Sequence, residues 1–234
     1  MLRASGIIMT MTMTDTLRYE ASSMMRLLTW LSPAFPTGAY AYSHGLEWAV
    51  ETHDICDGDS LRCWLGAVIA SGSARTDTIL LRHAHRVAND PGALRDIAML
   101  ALATAASRER YDEALAQGRA FLLAASGWGV PDLPADTPYA VAVGAMAGAH
   151  GVDEDLTAGA YLQTFVSNLI SAAVRLVPLG QTTGLQTLAA LEPTILGTAA
   201  ATKHATLDDL GGCAFGSDLA AMRHETQYTR LFRS

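Results

Sequence analysis

Residues 61–87, LRCWLGAVIASGSARTDTILLRHAHRV, decide the fold. Leu61, Trp64, Leu65, Val68, Ile69, Gly72, Thr76, Ile79, Leu80, Ala84 and Val87 set apolar or small side chains three and four positions apart. That is the period of a helix with one buried face. Asp59 and Ser60 supply the start, and Asn89-Asp90-Pro91-Gly92 supplies the stop. The spacing therefore predicts one helix across the stretch. A second periodic run covers residues 94–125, carried by Ile97, Ala98, Ala101, Ala105, Leu115 and Leu122, and Gly127-Trp128-Gly129-Val130-Pro131 breaks it.

The same texture extends toward the end of the chain. A proline- and aspartate-rich loop fills residues 131–138, and residues 139–150 read as a short helix of small side chains, suited to close helix approach. Asp153-Glu154-Asp155 puts negative charge at the next helix start, where the macrodipole favours it. Across residues 156–191 only Arg175 is charged, so this region is expected to be buried or to lie in an interface. It is not read as a membrane span, because Pro178 and Gly180 interrupt it and Gln163, Asn168, Gln181 and Gln186 are costly in lipid. Glu192-Pro193 is expected to end one helix, with another over residues 194–204, and Thr206 with Asp209 resembles a capping box. No strand alternation, repeat or low-complexity linker intervenes. The expected fold is an all-α single-domain bundle of roughly eight to ten helices.

Composition narrows function. Half of the 234 residues are hydrophobic and 17% are charged, enough for one sizeable core. The net charge of −7 argues against nucleic acid as a partner. Lys203 is the only lysine and lies in Ala201-Thr202-Lys203-His204, so no phosphate-binding loop of the Gly-Lys-Ser/Thr type is present. The chain also lacks the helical zinc-protease and nucleophile-elbow motifs. Cys56, Cys63 and Cys213 form no C-x-x-C pair, which points to free thiols in a reducing, cytoplasmic setting, with Cys56 and Cys63 as structural residues. Residues 1–23 show no signal-peptide pattern and are expected to be a disordered extension containing several possible start methionines.

Three features stand out as candidate sites. The first is the aromatic elbow Ser32-Pro33-Ala34-Phe35-Pro36-Thr37-Gly38-Ala39-Tyr40-Ala41-Tyr42-Ser43-His44-Gly45-Leu46-Glu47. Its prolines bar a helix, Gly38 permits a turn, and Ser43 is placed to cap a helix that begins after it. His44 reads as a polar helix-start residue or as a transient nickel contact. The second is Arg175, which needs a carboxylate, carbonyls or a partner if it is buried; Glu47 is the carboxylate named first. An arginine presented to a GTPase is the functional reading of the same residue. The third is the run over residues 222–234, where Arg223, Arg230 and Arg233 outweigh Glu225 and where Tyr228, Leu231 and Phe232 are large and apolar. Either it packs on its own domain or it docks on another protein. His83 and His85 point to different faces of their helix and read as a solvated pair among Arg82 and Arg86, not as metal ligands.

The elbow, the run Asn168-Leu169-Ile170-Ser171-Ala172-Ala173-Val174-Arg175-Leu176-Val177-Pro178-Leu179-Gly180-Gln181-Thr182 and the tail over residues 222–234, in this order, resemble the UreF family of urease accessory proteins. The resemblance spans residues 24–234 and is weak between about 75 and 150, where only the helical texture is kept. It implies an all-α body over residues 24–216 and a partner-docking tail over residues 217–234. It also implies a non-catalytic homodimer that binds UreD (UreH), recruits the GTPase UreG and delivers nickel to apo-urease. GTP then belongs to UreG, nickel to the complex, and no cofactor or metal to this chain. The tail residues Arg223, His224, Glu225, Tyr228, Arg230, Leu231, Phe232 and Arg233 are implied to contact UreD. Tyr40, Tyr42, Ser43, Glu47, Arg175 and Gln181 are expected at the dimer or GTPase-facing surface. Two rivals remain: a direct nickel-binding metallochaperone, and an all-α enzyme with its pocket at the elbow and Arg175.

Overall fold

A computed structural model of the chain describes residues 13–234, and among these every regular element is a helix. In chain order they are α1 (Met13–Trp30), α2 (Leu46–Glu51), α3 (Gly58–Ser71), α4 (Ser73–Arg86), α5 (Pro91–Ala103), α6 (Arg108–Ala124), α7 (Tyr139–Ala149), α8 (Glu154–Leu176), α9 (Gly180–Ala201) and α10 (Phe215–His224). Side chains start several of them. Asp57 and Ser60 form a capping box at α3, Asp90 caps α5 with Pro91 in its first turn, Ser107 caps α6, and Asp153 caps α8.

Helix α7 lies at the centre, packed against α4, α6 and α8, while α9 closes over α3 and α8. The short α10 covers α2 and α6. As the small residues of α7 require, its backbone comes very close to α4: a Cβ at Gly144 would stand 2.1 Å from the Leu81 carbonyl oxygen. The apolar face predicted over residues 61–87 is buried as expected at Leu61, Leu65, Val68, Ile69, Ile79, Leu80 and Ala84.

Several boundaries differ from the sequence expectation. Residues 61–87 form two helices, because Gly72 takes an extended backbone that redirects the chain; α3 thereby reaches α9 while α4 reaches α7. Residues 94–125 are likewise divided, with Ala103 ending α5 and Ser107 capping α6. Pro193 does not end a helix: α9 runs through it to Ala201, held by burial of Leu191, Ile195 and Ala199 on either side. The disorder expected up to residue 23 gives way to α1 from Met13, whose Leu27 and Trp30 enter the core; residues 1–12 lie outside the described residues. The expected boundary at residue 217 falls within α10.

Among the described residues Arg82 is sealed in the bundle, at 1% exposure, whereas Arg175 is exposed. Arg82 Nη1 lies 2.7 Å from Glu154 and 2.8 Å from Asp155, and its Nη2 donates to the Ala199 carbonyl at 2.7 Å. It thus pins α4 to the start of α8 and the end of α9. The neighbouring His83 and His85 are not a solvated pair. Both are half-buried, with Nε2 3.1 Å from the Ala205 carbonyl and 2.7 Å from the Val152 carbonyl respectively. Cys56 and Cys63 are free thiols as expected, but both are exposed, so neither has the packing role assigned to it.

Gly144→Ala drives a methyl group into the Leu81 carbonyl and must separate α4 from α7. Urea unfolding should show a loss of about 2–3 kcal/mol; an unchanged midpoint would mean that the two helices can part freely.

Candidate functional site

The elbow folds as a series of tight turns. Gly38 and Gly45 take left-handed φ values of 76° and 77°, with His44 between them at 55°. Helix α2 therefore begins at Leu46 with Gly45 at the capping position, and Ser43, two residues further back, still accepts the Glu47 N–H of the first turn on its hydroxyl at 3.4 Å. At Gly45 a Cβ would stand 2.5 Å from the Ala221 backbone nitrogen, so the elbow and α10 touch backbone to backbone.

Ser43 is also tied to the end of the chain. Its backbone N–H and its hydroxyl both donate to the Ser234 carbonyl. Residues 225–234 run back across the elbow as a strap. Arg233 N–H donates to the Ala41 carbonyl at 2.8 Å. Leu231 N–H and Phe232 N–H donate to the two carboxylate oxygens of Glu47 at 2.6 and 2.9 Å. His224 is fully buried between Glu109 and Glu47, its ring nitrogens 2.6 and 3.2 Å from their oxygens. Arg230 pairs with the same Glu109 at 2.7 Å.

Glu47 and Arg175 do not pair with each other, contrary to expectation, because both are used on the strap. Arg175 donates to the Tyr40 carbonyl at 2.7 Å, and its guanidinium lies 4.5 Å from the centre of the buried Phe232 ring. Tyr42 is buried, the Tyr40 ring is exposed, and Gln181 lies exposed in the first turn of α9.

The tail residues thus divide into two faces. His224, Gln227, Phe232 and Ser234 point inward. Arg223, Glu225, Tyr228, Leu231 and Arg233 point outward, with Tyr228 fully exposed. Glu225 also accepts a hydrogen bond from the Arg108 backbone at 2.7 Å. Beside them, Phe215, Leu219 and Met222 form an exposed apolar stripe on α10 at i, i+4, i+7 spacing.

Beneath the strap lies a buried ionic cluster. Glu113 of α6 accepts from Gln117 at 2.6 Å and from the Ser234 hydroxyl at 2.8 Å, and it pairs with Arg110 and with His44 Nε2, the latter at 2.7 Å. Arg110 Nη1 also lies 2.6 Å from His44 Nε2, and its Nη2 lies 4.0 Å from Asp77 of α4. Tyr161 donates to Asp77 at 3.0 Å. Burial and the Arg110 charge push His44 below the usual imidazole value, against Glu113, so the ring is neutral. Burial acts to raise Glu113, but Arg110, His44 and the hydroxyl of Ser234 outweigh it and hold it at about 2. Burial dominates at Asp77, despite Arg110 and Tyr161, and raises it to about 6.

Sequence reading missed this cluster, since Asp77, Arg110, Glu113 and Tyr161 come from three helices. One signal was present: Glu113, Gln117 and Phe121 fall four apart, which places a carboxylate in phase with a fully buried ring. Among the described residues, no group of three or more His, Cys, Asp or Glu is arranged to hold a metal ion, and no helix is long and apolar enough to cross a membrane.

Fold and site define an all-α bundle that clamps residues 225–234 onto its own ionic core. The UreF family model matches residues 55–192. The chain is 50% identical to the urease accessory protein UreF of Rhodopseudomonas palustris strain BisB18, over 92% of this chain and 93% of that one. It is 50% identical to its counterpart in Bradyrhizobium sp. strain BTAi1, over 91% and 92% of the two chains. For Mesorhizobium japonicum the figures are 49%, 91% and 96%. The chain belongs to the UreF family.

The two carboxylates of the cluster respond to pH in opposite ways. Glu113 falls from 4.5 to about 2 on folding, so its stabilisation is complete above 4.5 and is lost as pH falls toward 2. Asp77 rises from 3.8 to about 6, so its protonated form favours the fold and stability falls as pH climbs through that interval. In urea unfolding at neutral pH, Glu113→Gln should therefore cost about 3 kcal/mol, whereas Asp77→Asn should add about 1–2 kcal/mol above pH 6. A pH profile unchanged by either substitution would contradict these environments.

Proposed function

We propose that this chain acts in the maturation of urease as a non-catalytic scaffold. It binds UreD (UreH) through the outer face of α10 and the strap, brings in the GTPase UreG, and serves nickel delivery to apo-urease. In this reading the chain is a cytoplasmic homodimer, nickel is cargo of the complex, GTP is bound by UreG, and the chain itself holds no cofactor. Relatives at about half identity carry the name urease accessory protein, which supports a part in maturation and a role other than that of the hydrolase itself.

The observation that carries the reading is the two-sided tail. Its inner side is fixed by Glu47, His224, Phe232 and Ser234. Its outer side presents Phe215, Leu219, Met222, Tyr228 and Leu231 to solvent, among the exposed Arg223, Arg230 and Arg233. A pre-ordered apolar patch with a basic rim on an acidic protein suits an interface whose partner supplies an apolar groove and carboxylates. Because the segment is already ordered, docking avoids most of the entropy cost of folding a free tail.

The structure also shows how to test it. Deleting residues 222–234 would remove the ligands of Glu47, Glu109 and Glu113 and disturb the core, so substitutions on the outer face are the cleaner probe. Tagged chain carrying Leu219→Asp with Leu231→Asp, co-expressed with UreD and UreG, should retain at least tenfold less UreD than wild type at unchanged circular dichroism. Undiminished retention of UreD would overturn the assignment of this face.

A further inference from the structure

Asp77 lies between two adjoining cavities. One, of about 50 Å³, is lined by His44, Tyr139, Tyr161, Phe165 and Asn168 around the Asp77–Arg110 pair. The other, of about 70 Å³, lies on the α10 side and adds Thr76, Ser217 and Asp218. Arg110 is in direct contact with Glu113, and that pair is internally neutral. Asp77 stands beyond it, 4.0 Å from the guanidinium, with one hydroxyl donor on Oδ2 and, among the described residues, no hydrogen bond to Oδ1. With His44 neutral, the wall around Asp77 carries one uncompensated negative charge beside aromatic rings.

That chemistry selects a ligand class. An anion would meet Asp77 and Glu113. A divalent metal would need further ligands, and no three-residue ligand group is present among the described residues. A phosphorylated or sugar-sized molecule does not fit. A volume of 50 Å³ is about one third of the ~150 Å³ cavity that accommodates benzene, so only a ligand of a few non-hydrogen atoms is suited to it. A small cation bearing N–H groups meets every term: it pairs with the Asp77 carboxylate, whose Oδ1 accepts no hydrogen bond among the described residues, in a cavity whose lining includes Asn168, Tyr139 and Tyr161. We propose that this cavity is a binding site for an ammonium ion or a primary ammonium group no larger than methylammonium, with Asp77 as its counter-ion. The raised pKa of Asp77 agrees with a carboxylate short of a partner, the state that a bound cation would relieve.

The test uses the isolated full chain, so its outcome is independent of whether UreD binds. Thermal unfolding midpoints are measured at about pH 7.5, where Asp77 is ionised, in ammonium, methylammonium, tetramethylammonium and sodium chlorides of equal ionic strength, at ~0.1 M. The expected result is a midpoint about 2–4 °C higher in ammonium or methylammonium than in sodium, with no such gain in the bulkier tetramethylammonium. Asp77→Asn should abolish the ammonium-minus-sodium difference, and Tyr139→Leu, which keeps the carboxylate, should at least halve it. An equal response to sodium and ammonium in the wild type overturns the proposal. So does an ammonium gain that survives Asp77→Asn, or an Asp77-dependent gain seen with nickel chloride alone.

Discussion

Glu113 is the residue on which the rest of this structure depends. A buried carboxylate is unfavourable unless its lone pairs are met by donors. Here they are met from four directions: Arg110 and Gln117 on its own helix, His44 from the elbow and Ser234 from the end of the strap. These donors come from three segments far apart in sequence, so satisfying this one charge brings the elbow, α6 and the strap together. Glu47 repeats the arrangement one layer outward, with two backbone N–H groups and His224 as donors.

The consequence is a segment that is ordered without being part of a helix. A chain end with exposed Tyr228 and Leu231 would ordinarily fray. Backbone hydrogen bonds to Glu47, Ala41 and Ser43 and the stacking of Arg175 on Phe232 prevent this, and they leave the side chains of the opposite face free for a partner. The link from packing to function is therefore direct: the buried charges order the strap, and the ordered strap displays the apolar patch. Asp77 belongs to the same cluster but has a different status. It borders a cavity and makes one hydrogen bond, where Glu113 makes several. Burial pushes both carboxyls up, and only at Glu113 do the surrounding donors and the Arg110 charge outweigh it, so one falls and the other rises within a single network.

Much of the fold was legible from particular residues. The apolar spacing over residues 61–87, the small residues of α7, Asp153 at the start of α8 and the capping box at Thr206 and Asp209 all act locally, and the structure keeps each of them. The breaks were less legible. Gly72 ends a helix although glycine is tolerated within many, and Pro193 fails to end one although proline usually does, because packing against distant helices outweighs a local preference of about 1–3 kcal/mol. The elbow was legible as a tight turn and Ser43 as a residue serving the start of α2, yet its second partner, nearly the whole chain length away at Ser234, was not.

The sequence by itself determined the helical class, the placement of the elbow, and the family to which the chain belongs, because periodicity, turn residues and motif order are properties of neighbouring positions. Only the tertiary structure decided which charges are buried and with whom. Arg175 stands alone in its apolar run but lies at the surface, while Arg82, set among other polar residues, is sealed in the core. Glu47 was named for Arg175 and instead holds the strap. The physical reason is that an ion's partner is chosen by distance in space and by the cost of removing it from water, and neither quantity is written in the order of the residues.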